Sequence, residues 1–175
     1  EEFKNLEKLE VLDLSSNNFT EIPEIMTPKN FPNLKSLSLN NSRITQSAKD
    51  LSKITKGDSI GLYLKSSVDG KDNPLRKLLL WEKLEELDIS NCYIEGSLPD
   101  FKVGEDGVKA YTQTDVDAWG KDTIQYLADN EMPRILPNCT SLKLNLNFFT
   151  GDLPDWLRYH PYLLEWIPEI LIYNQ

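Results

Sequence analysis

The chain has a single histidine, His160, and only two cysteines, Cys92 and Cys139, in 175 residues. With one imidazole and no C-x-x-C, a zinc site would need carboxylates whose positions the sequence does not mark. The same shortage removes the base for a nucleophilic serine: the serines near Asp13 and Asp88 have no histidine partner. No G-x-S-x-G elbow, phosphate-binding loop or dinucleotide fingerprint occurs. His160 itself, between Tyr159 and Pro161, reads as a packing or exposed residue. Two cysteines are too few for a disulfide framework. No run of 18 apolar residues is present, so no segment reads as a membrane-spanning helix. Positive charge is also short, with 19 Lys and Arg against 28 Asp and Glu and a net charge of −9. That balance argues against nucleic acid or an anionic membrane as the main partner. The opening stretch, EEFKNLEKLE, is acidic and amphipathic and is not a signal peptide.

What is present is a repeat. Residues 9–22, LEVLDLSSNNFTEI, follow L-x-x-L-x-L-x-x-N-x-apolar. Residues 34–44 (LKSLSLNNSRI) fit with Ser42 in the asparagine slot, and 84–94 (LEELDISNCYI) with Cys92 there. Residues 142–149 (LKLNLNFF) place Asn147 in the slot and Cys139 in the first apolar position. The second apolar position falls at Leu12, Leu37 and Leu87, spacings of 25 and twice 25. A degenerate unit is therefore expected at SIGLYLK, with Leu62 and Leu64 in place and Ser67 in the slot. The next step, to Leu142, is 55 residues, so residues 101–138 read as an insertion. IPEILI is expected to add a partial strand at 168–173.

This pattern resembles the leucine-rich repeat family over most of the chain. The resemblance implies an α/β solenoid, a right-handed superhelix or horseshoe. A short-stranded parallel β-sheet lines its concave face, and helices or irregular turns its convex face. Each L-x-L core alternates with the period of a strand and cannot bury its apolar side alone. One domain over 1–175 with five to six repeats is expected, with strands near 10–15, 35–40, 60–65, 85–90 and 140–145. Neither EEFKNLEKL nor ILIYNQ reads as a complete cap, so a fragment of a longer protein is expected. In the family, the slot held by Asn17, Ser42, Ser67, Cys92 and Asn147 bonds to backbone groups of the turn. Cys92 thus reads as a buried structural thiol, poorly placed to reach Cys139.

The convex segments differ in kind. QSAKDLSKI (46–54) and NPLRKLLLWEKL (73–84, with Pro74 in its first turn) read as short amphipathic helices. The stretches after GSLP and GDLP read as irregular. Within the insertion, FKVGEDGV (101–108) is a turn-rich loop. Thr114 with Asp117 is expected as a capping box, Gly120 as a break, and Ile124 and Leu127 as core-facing. DVDAWGKD (115–122) fails as a calcium loop, because Trp119 and Tyr126 occupy ligand positions. GEDG and DGKDN read as solvated turns. No metal or cofactor is expected.

In the tail, FFTGDLPDWLRYHP together with VDAWGKDTIQYL is similar to a leucine-rich-repeat group in surface-anchored proteins of Bacteroidetes-type gut bacteria. That resemblance implies a cell-surface or secreted, outer-membrane-anchored protein, reached through a lipid anchor that this sequence lacks. Trp156 and Trp166 read as core. Three N-x-S/T sequons, at Asn18, Asn40 and Asn138, read as chance in a chain rich in Asn, Ser and Thr.

What remains is a surface. The residues alternating with the leucines form the candidate concave face: Asp13, Ser38, Asn40, Tyr63, Lys65, Glu86, Asp88, Ser90, Lys143 and Asn145. Tyr63 leads, since aromatic side chains dominate binding hot spots. The expected function is non-catalytic recognition of a protein or peptide, with a glycan less favoured. A structural spacer is the second reading, with binding in other domains, and an enzyme is the third.

Overall fold

The computed structural model describes residues 6–19, 22–42, 62–63, 75–120 and 122–170. The L-x-L cores form strands β1 (Val11–Asp13), β2 (Ser36–Ser38), β4 (Glu86–Asp88) and β6 (Ser141–Lys143) of one parallel sheet, in the order β1-β2-β4-β6. Leu12, Leu37, Leu87 and Leu142 are direct partners across it. The column is set by the side-chain period of two: a slip of one residue would turn every leucine to solvent. Leu37, Leu87 and Leu142 are buried, as are Leu39, Ile89 and Leu144 two residues on. Leu34, Leu84 and Cys139 make a third buried column, and Phe31, Trp81 and Leu136 a fourth. Each large apolar side chain so enclosed contributes about 1.5–3 kcal/mol.

The expected rung at Leu62 is not in this sheet. β2 pairs directly with β4, so Leu37 and Leu87 are neighbours. Leu62–Tyr63 forms β3, which pairs instead with β5 (Ile94–Gly96) in a second parallel sheet completed by β7 (Phe148–Phe149). The reason lies in the turn slot. The Cys92 thiol donates to Leu39 O at 3.1 Å, linking the second and fourth L-x-L units with nothing between them. Spacing by 25 marks where an apolar pair falls, but not which sheet receives it. Leu64 and the segment 46–54 lie outside the described residues.

Two rows of small polar devices hold the rungs in register. In the turn slot, Asn147 Nδ2 donates to Ile89 O (2.8 Å) and Leu144 O (2.9 Å). Its Oδ1 accepts from the N–H groups of Cys92 (3.1 Å) and Ile94 (3.0 Å). The residue before the slot takes a left-handed turn in every rung: Ser16, Asn41, Asn91 and Leu146 have φ of 57°, 55°, 52° and 56°. At the entry side, Asn33 Nδ2 donates back to Glu7 O and Asn138 Nδ2 to Glu82 O, both at 2.6 Å. The repeated phrases FPNL and LPNC carried that second ladder in the sequence. It also commits the amide nitrogen that a glycan on Asn138 would use.

Residues 75–84 contribute a 3₁₀ turn, Arg76–Leu79, rather than a full α-helix. Its Arg76 is buried: the guanidinium lies 4.5 Å over the Phe101 ring and donates to Asp106 at 2.7 and 3.0 Å. This pins the loop 101–108 onto the stack.

The insertion holds helices α1 (Gln113–Trp119) and α2 (Asp122–Asp129). The capping box sits two residues before the expected one, with Thr112 N–H donating to the Asp115 carboxylate at 2.9 Å. The register is chosen by Tyr111, which is buried just before the cap and packs with Val116 one turn on, an arrangement that fixes the angle of entry. Gly120 ends α1 in a left-handed conformation, and Ile124 and Leu127 are buried.

The tail is helical where irregular chain and a strand were expected. α3 (Asp155–Arg158) starts directly after Pro154, and α4 (Leu163–Ile170) covers the first half of the expected 168–173 strand. The reason is again burial. Trp156 Nε1–H donates to Pro99 O at 2.8 Å and Trp166 Nε1–H to Cys139 O at 2.9 Å, so both indoles are core. His160 stacks on Trp166 with ring centroids 3.9 Å apart. Its Nε2–H faces Ile135 O (2.9 Å) and Leu136 O (3.2 Å), while Nδ1 accepts from Tyr162 N–H.

Burial pushes the His160 imidazole down to about 3, and the two carbonyls only partly oppose it. Below pH 6.5 the unfolded chain therefore binds a proton that the folded chain refuses, and stability falls as pH drops. Urea unfolding is expected to show a loss of about 3 kcal/mol between pH 6.5 and pH 4. In His160→Gln that slope should flatten, whatever the variant's absolute stability. An unchanged slope would place the titrating group elsewhere.

Candidate binding surface

Across the four-stranded sheet the outward residues fall into three rows. Register aligns Val11, Ser36, Glu86 and Ser141 in the first, and Asp13, Ser38, Asp88 and Lys143 in the second. Ser15, Asn40, Ser90 and Asn145 follow two residues on. Strands are about 4.8 Å apart, so each row spans about 15 Å. Apart from Val11, which is 63% exposed, the side chains are polar and most are short.

Much of this face is already bonded to itself. Asp88 accepts from Ser90 N–H (3.0 Å), Ser90 Oγ (2.6 Å) and Asn40 Nδ2 (2.9 Å). Asp13 repeats the motif one end away, accepting from Ser15 N–H at 2.9 Å, and its bonds to Ser15 hold its carboxyl below the usual range. These two aspartates hold the turn after their strands. Ser36 Oγ donates weakly to Glu86 at 3.3 Å.

Glu86 and Lys143 are exposed and point into solvent. Lys143 has no ion-pair partner among the described residues. The face is therefore polarised, with Asp13, Glu86 and Asp88 over β1 to β4 and one ammonium over β6. Beside it, Lys35 and Glu10 pair at 3.1 Å.

Of the expected site residues, the sheet brings together Asp13, Ser38, Asn40, Glu86, Asp88, Ser90, Lys143 and Asn145. Tyr63 is not among them: its backbone belongs to β3 in the second sheet, and nothing stands between Ser38 and Asp88. Lys65 and Ser67 lie outside the described residues. One contributor was missed. Glu169 reaches from α4 to accept from Ser141 Oγ (3.1 Å) and Leu142 N–H (2.9 Å). No sequence signal marked it, because IPEILI scans as a strand.

The remaining chemistry is enclosed. Cys92 and Cys139 are free and buried, and burial raises their thiols to about 11 and about 12. Among the described residues no group of three or more His, Cys, Asp or Glu side chains is placed to hold a metal ion, and none of their helices is long and apolar enough to cross a membrane. His160 is sealed from substrate.

Two family models match the chain: one described as Leucine Rich repeats (2 copies) over residues 7–55, and one described as Leucine Rich Repeat over 83–101. No curated protein matches. No solved structure matches.

Thiolate is the reactive form of cysteine, and at pH 8 a thiol near 11 is ionised to about one part in a thousand. The native chain is expected to resist a thiol reagent at pH 8, and the urea-unfolded chain to take up two equivalents. Fast native labelling at either cysteine would contradict the burial described.

Proposed function

The chain carries leucine-rich repeats, which commonly mediate protein–protein interaction, and from that premise we propose that it is a non-catalytic recognition module. It binds a protein or peptide on the outward face of its four-stranded sheet, the concave face of a right-handed solenoid. The observation that carries this reading is the polarised face across the first two rows. Lys143 has no ion-pair partner among the described residues and stands over β6, while the exposed carboxylates of Asp13 and Glu86 lie over β1 and β4. A ligand with a cationic group over Glu86 and an anionic group over Lys143 complements it. Placement at a cell surface, or in secreted form, follows from the resemblance of the tail to surface-anchored bacterial repeats.

Asp88 is a poor residue to test, since its three hydrogen bonds hold the turn. Glu86→Lys and Lys143→Glu change exposed side chains instead. Selection from a displayed random-peptide library is expected to yield binders to the parent chain. Affinity should fall about tenfold or more in each variant, with melting temperature unchanged. Equal binding by parent and variants, or no enrichment at all, would favour the spacer reading.

A further inference from the structure

Alternate backbone N–H groups of each rung donate to the rung that follows, while others, such as Ser141 N–H to Glu85 O, bond back to the rung before. Leu39 and Asn41 donate to the carbonyls of Asp88 and Ser90 at 2.8 and 3.1 Å. Ile89 and Asn91 donate to those of Lys143 and Asn145 at 3.0 and 2.9 Å. The slot residue then supplies an acceptor, Asn147 Oδ1, for Cys92 N–H. The corresponding donors of the last rung are the N–H groups of Leu144, Leu146 and Asn147. None has an acceptor among the described residues. The donor before them, Leu142 N–H, is held by the Glu169 carboxylate. α4 therefore closes the edge at its first position, and among the described residues it supplies no acceptor for the next three donors.

Beyond Glu169 the edge faces a cavity of about 260 Å³, walled by Leu98, Leu144, Leu146, Phe149, Leu153 and Ile170, with Asp152 as its ionisable residue. Leu146 is out of keeping with its column. It occupies the left-handed position that Ser16, Asn41 and Asn91 fill elsewhere, where an aliphatic side chain is disfavoured, and it is 49% exposed. Leu153 is exposed beside it.

We propose that this edge and cavity form a second binding site, distinct from the outward rows, which takes an extended peptide as an added parallel strand. The preceding interface specifies the occupant. Two carbonyls, one residue apart, accept from Leu144 and Leu146, as those of Lys143 and Asn145 accept from the rung before. The aliphatic side chain between them fills the cavity, and an asparagine two residues past the second carbonyl accepts from Asn147 N–H. The peptide pattern is thus x-aliphatic-x-x-Asn, without an acid opposite Asp152. A single extended peptide is the occupant that matches this edge: its backbone pairs along Leu144 to Asn147, and the cavity takes the one aliphatic side chain it turns inward.

The test uses the full chain and the peptide Lys-Leu-Asn-Leu-Asn, which copies residues 143–147 and stops short of the position that Glu169 fills. In the free chain, the Leu144, Leu146 and Asn147 amides are expected to exchange about a hundredfold faster than those of Ile89, Asn91 and Cys92. Peptide should shift them saturably and slow their exchange about tenfold. Leu153→Lys, at the cavity rim, should weaken binding about tenfold while exchange at Ile89 stays unchanged. The proposal is overturned if these amides are already protected in the free chain, which would mean that the edge is filled. It also fails if no shift saturates, if shifts map to Ser38, Asp88 and Lys143 instead, or if peptide drives only self-association of the chain.

Discussion

The side chain of Asn147 is the interaction on which the rest of the stack depends. Its carboxamide stands where the chain leaves one sheet and enters the other, a turn whose backbone groups cannot all pair within their own rung. By donating to Ile89 and Leu144 carbonyls and accepting from two N–H groups of the preceding rung, it satisfies both sides of the junction. A buried amide left without such a partner costs about 1–3 kcal/mol. Cys92 does a reduced version of the same task for the rung before, with one thiol donor aimed at Leu39 O. Aligning the turns also aligns everything upstream of them. The leucine columns meet, and the alternate residues are forced into rows on the opposite face.

At β1 and β6, the outer strands of the four-stranded sheet, some backbone groups have no neighbouring strand of that sheet to pair with. At the C-terminal side the molecule answers with a helix rather than a strand. α4 lies against β6, buries Trp166, and places Glu169 so that a carboxylate takes the first N–H of the edge. His160 is part of that closure, sandwiched against Trp166 and bonded to the carbonyls of Ile135 and Leu136. Among the described residues, that carboxylate is the acceptor α4 offers to this edge, taking Leu142 N–H together with Ser141 Oγ.

The parts legible in the sequence were those governed by local alternation and by the turn slot. Leu12, Leu37, Leu87 and Leu142 announced their column through L-x-L spacing, and Asn147 and Cys92 announced the ladder through their distance from it. Burial of Trp156 and Trp166 was legible from their helical or turn spacing. The misreadings share a different cause. Leu62 has the right spacing, yet pairs with Ile94, because strand partnership is a non-local choice that spacing does not encode. Thr114 and Thr112 both begin a T-x-x-D phrase, and the buried Tyr111 selects between them. IPEILI alternates like a strand, but residues 167–170 are helix, in an α4 that the Trp166 indole anchors to Cys139 O.

The sequence by itself determined which side chains are apolar at strand period, which residues can hold the tight turns, and hence that several parallel rungs stack in register. Those features arise from contacts that each rung repeats. Which rungs are neighbours, how the edge is closed, and which polar groups are left to meet a ligand were decided only in the tertiary structure. Backbone N–H groups are chemically alike along the whole chain, so only the packing of α4 against β6 decides which of them meets the Glu169 carboxylate.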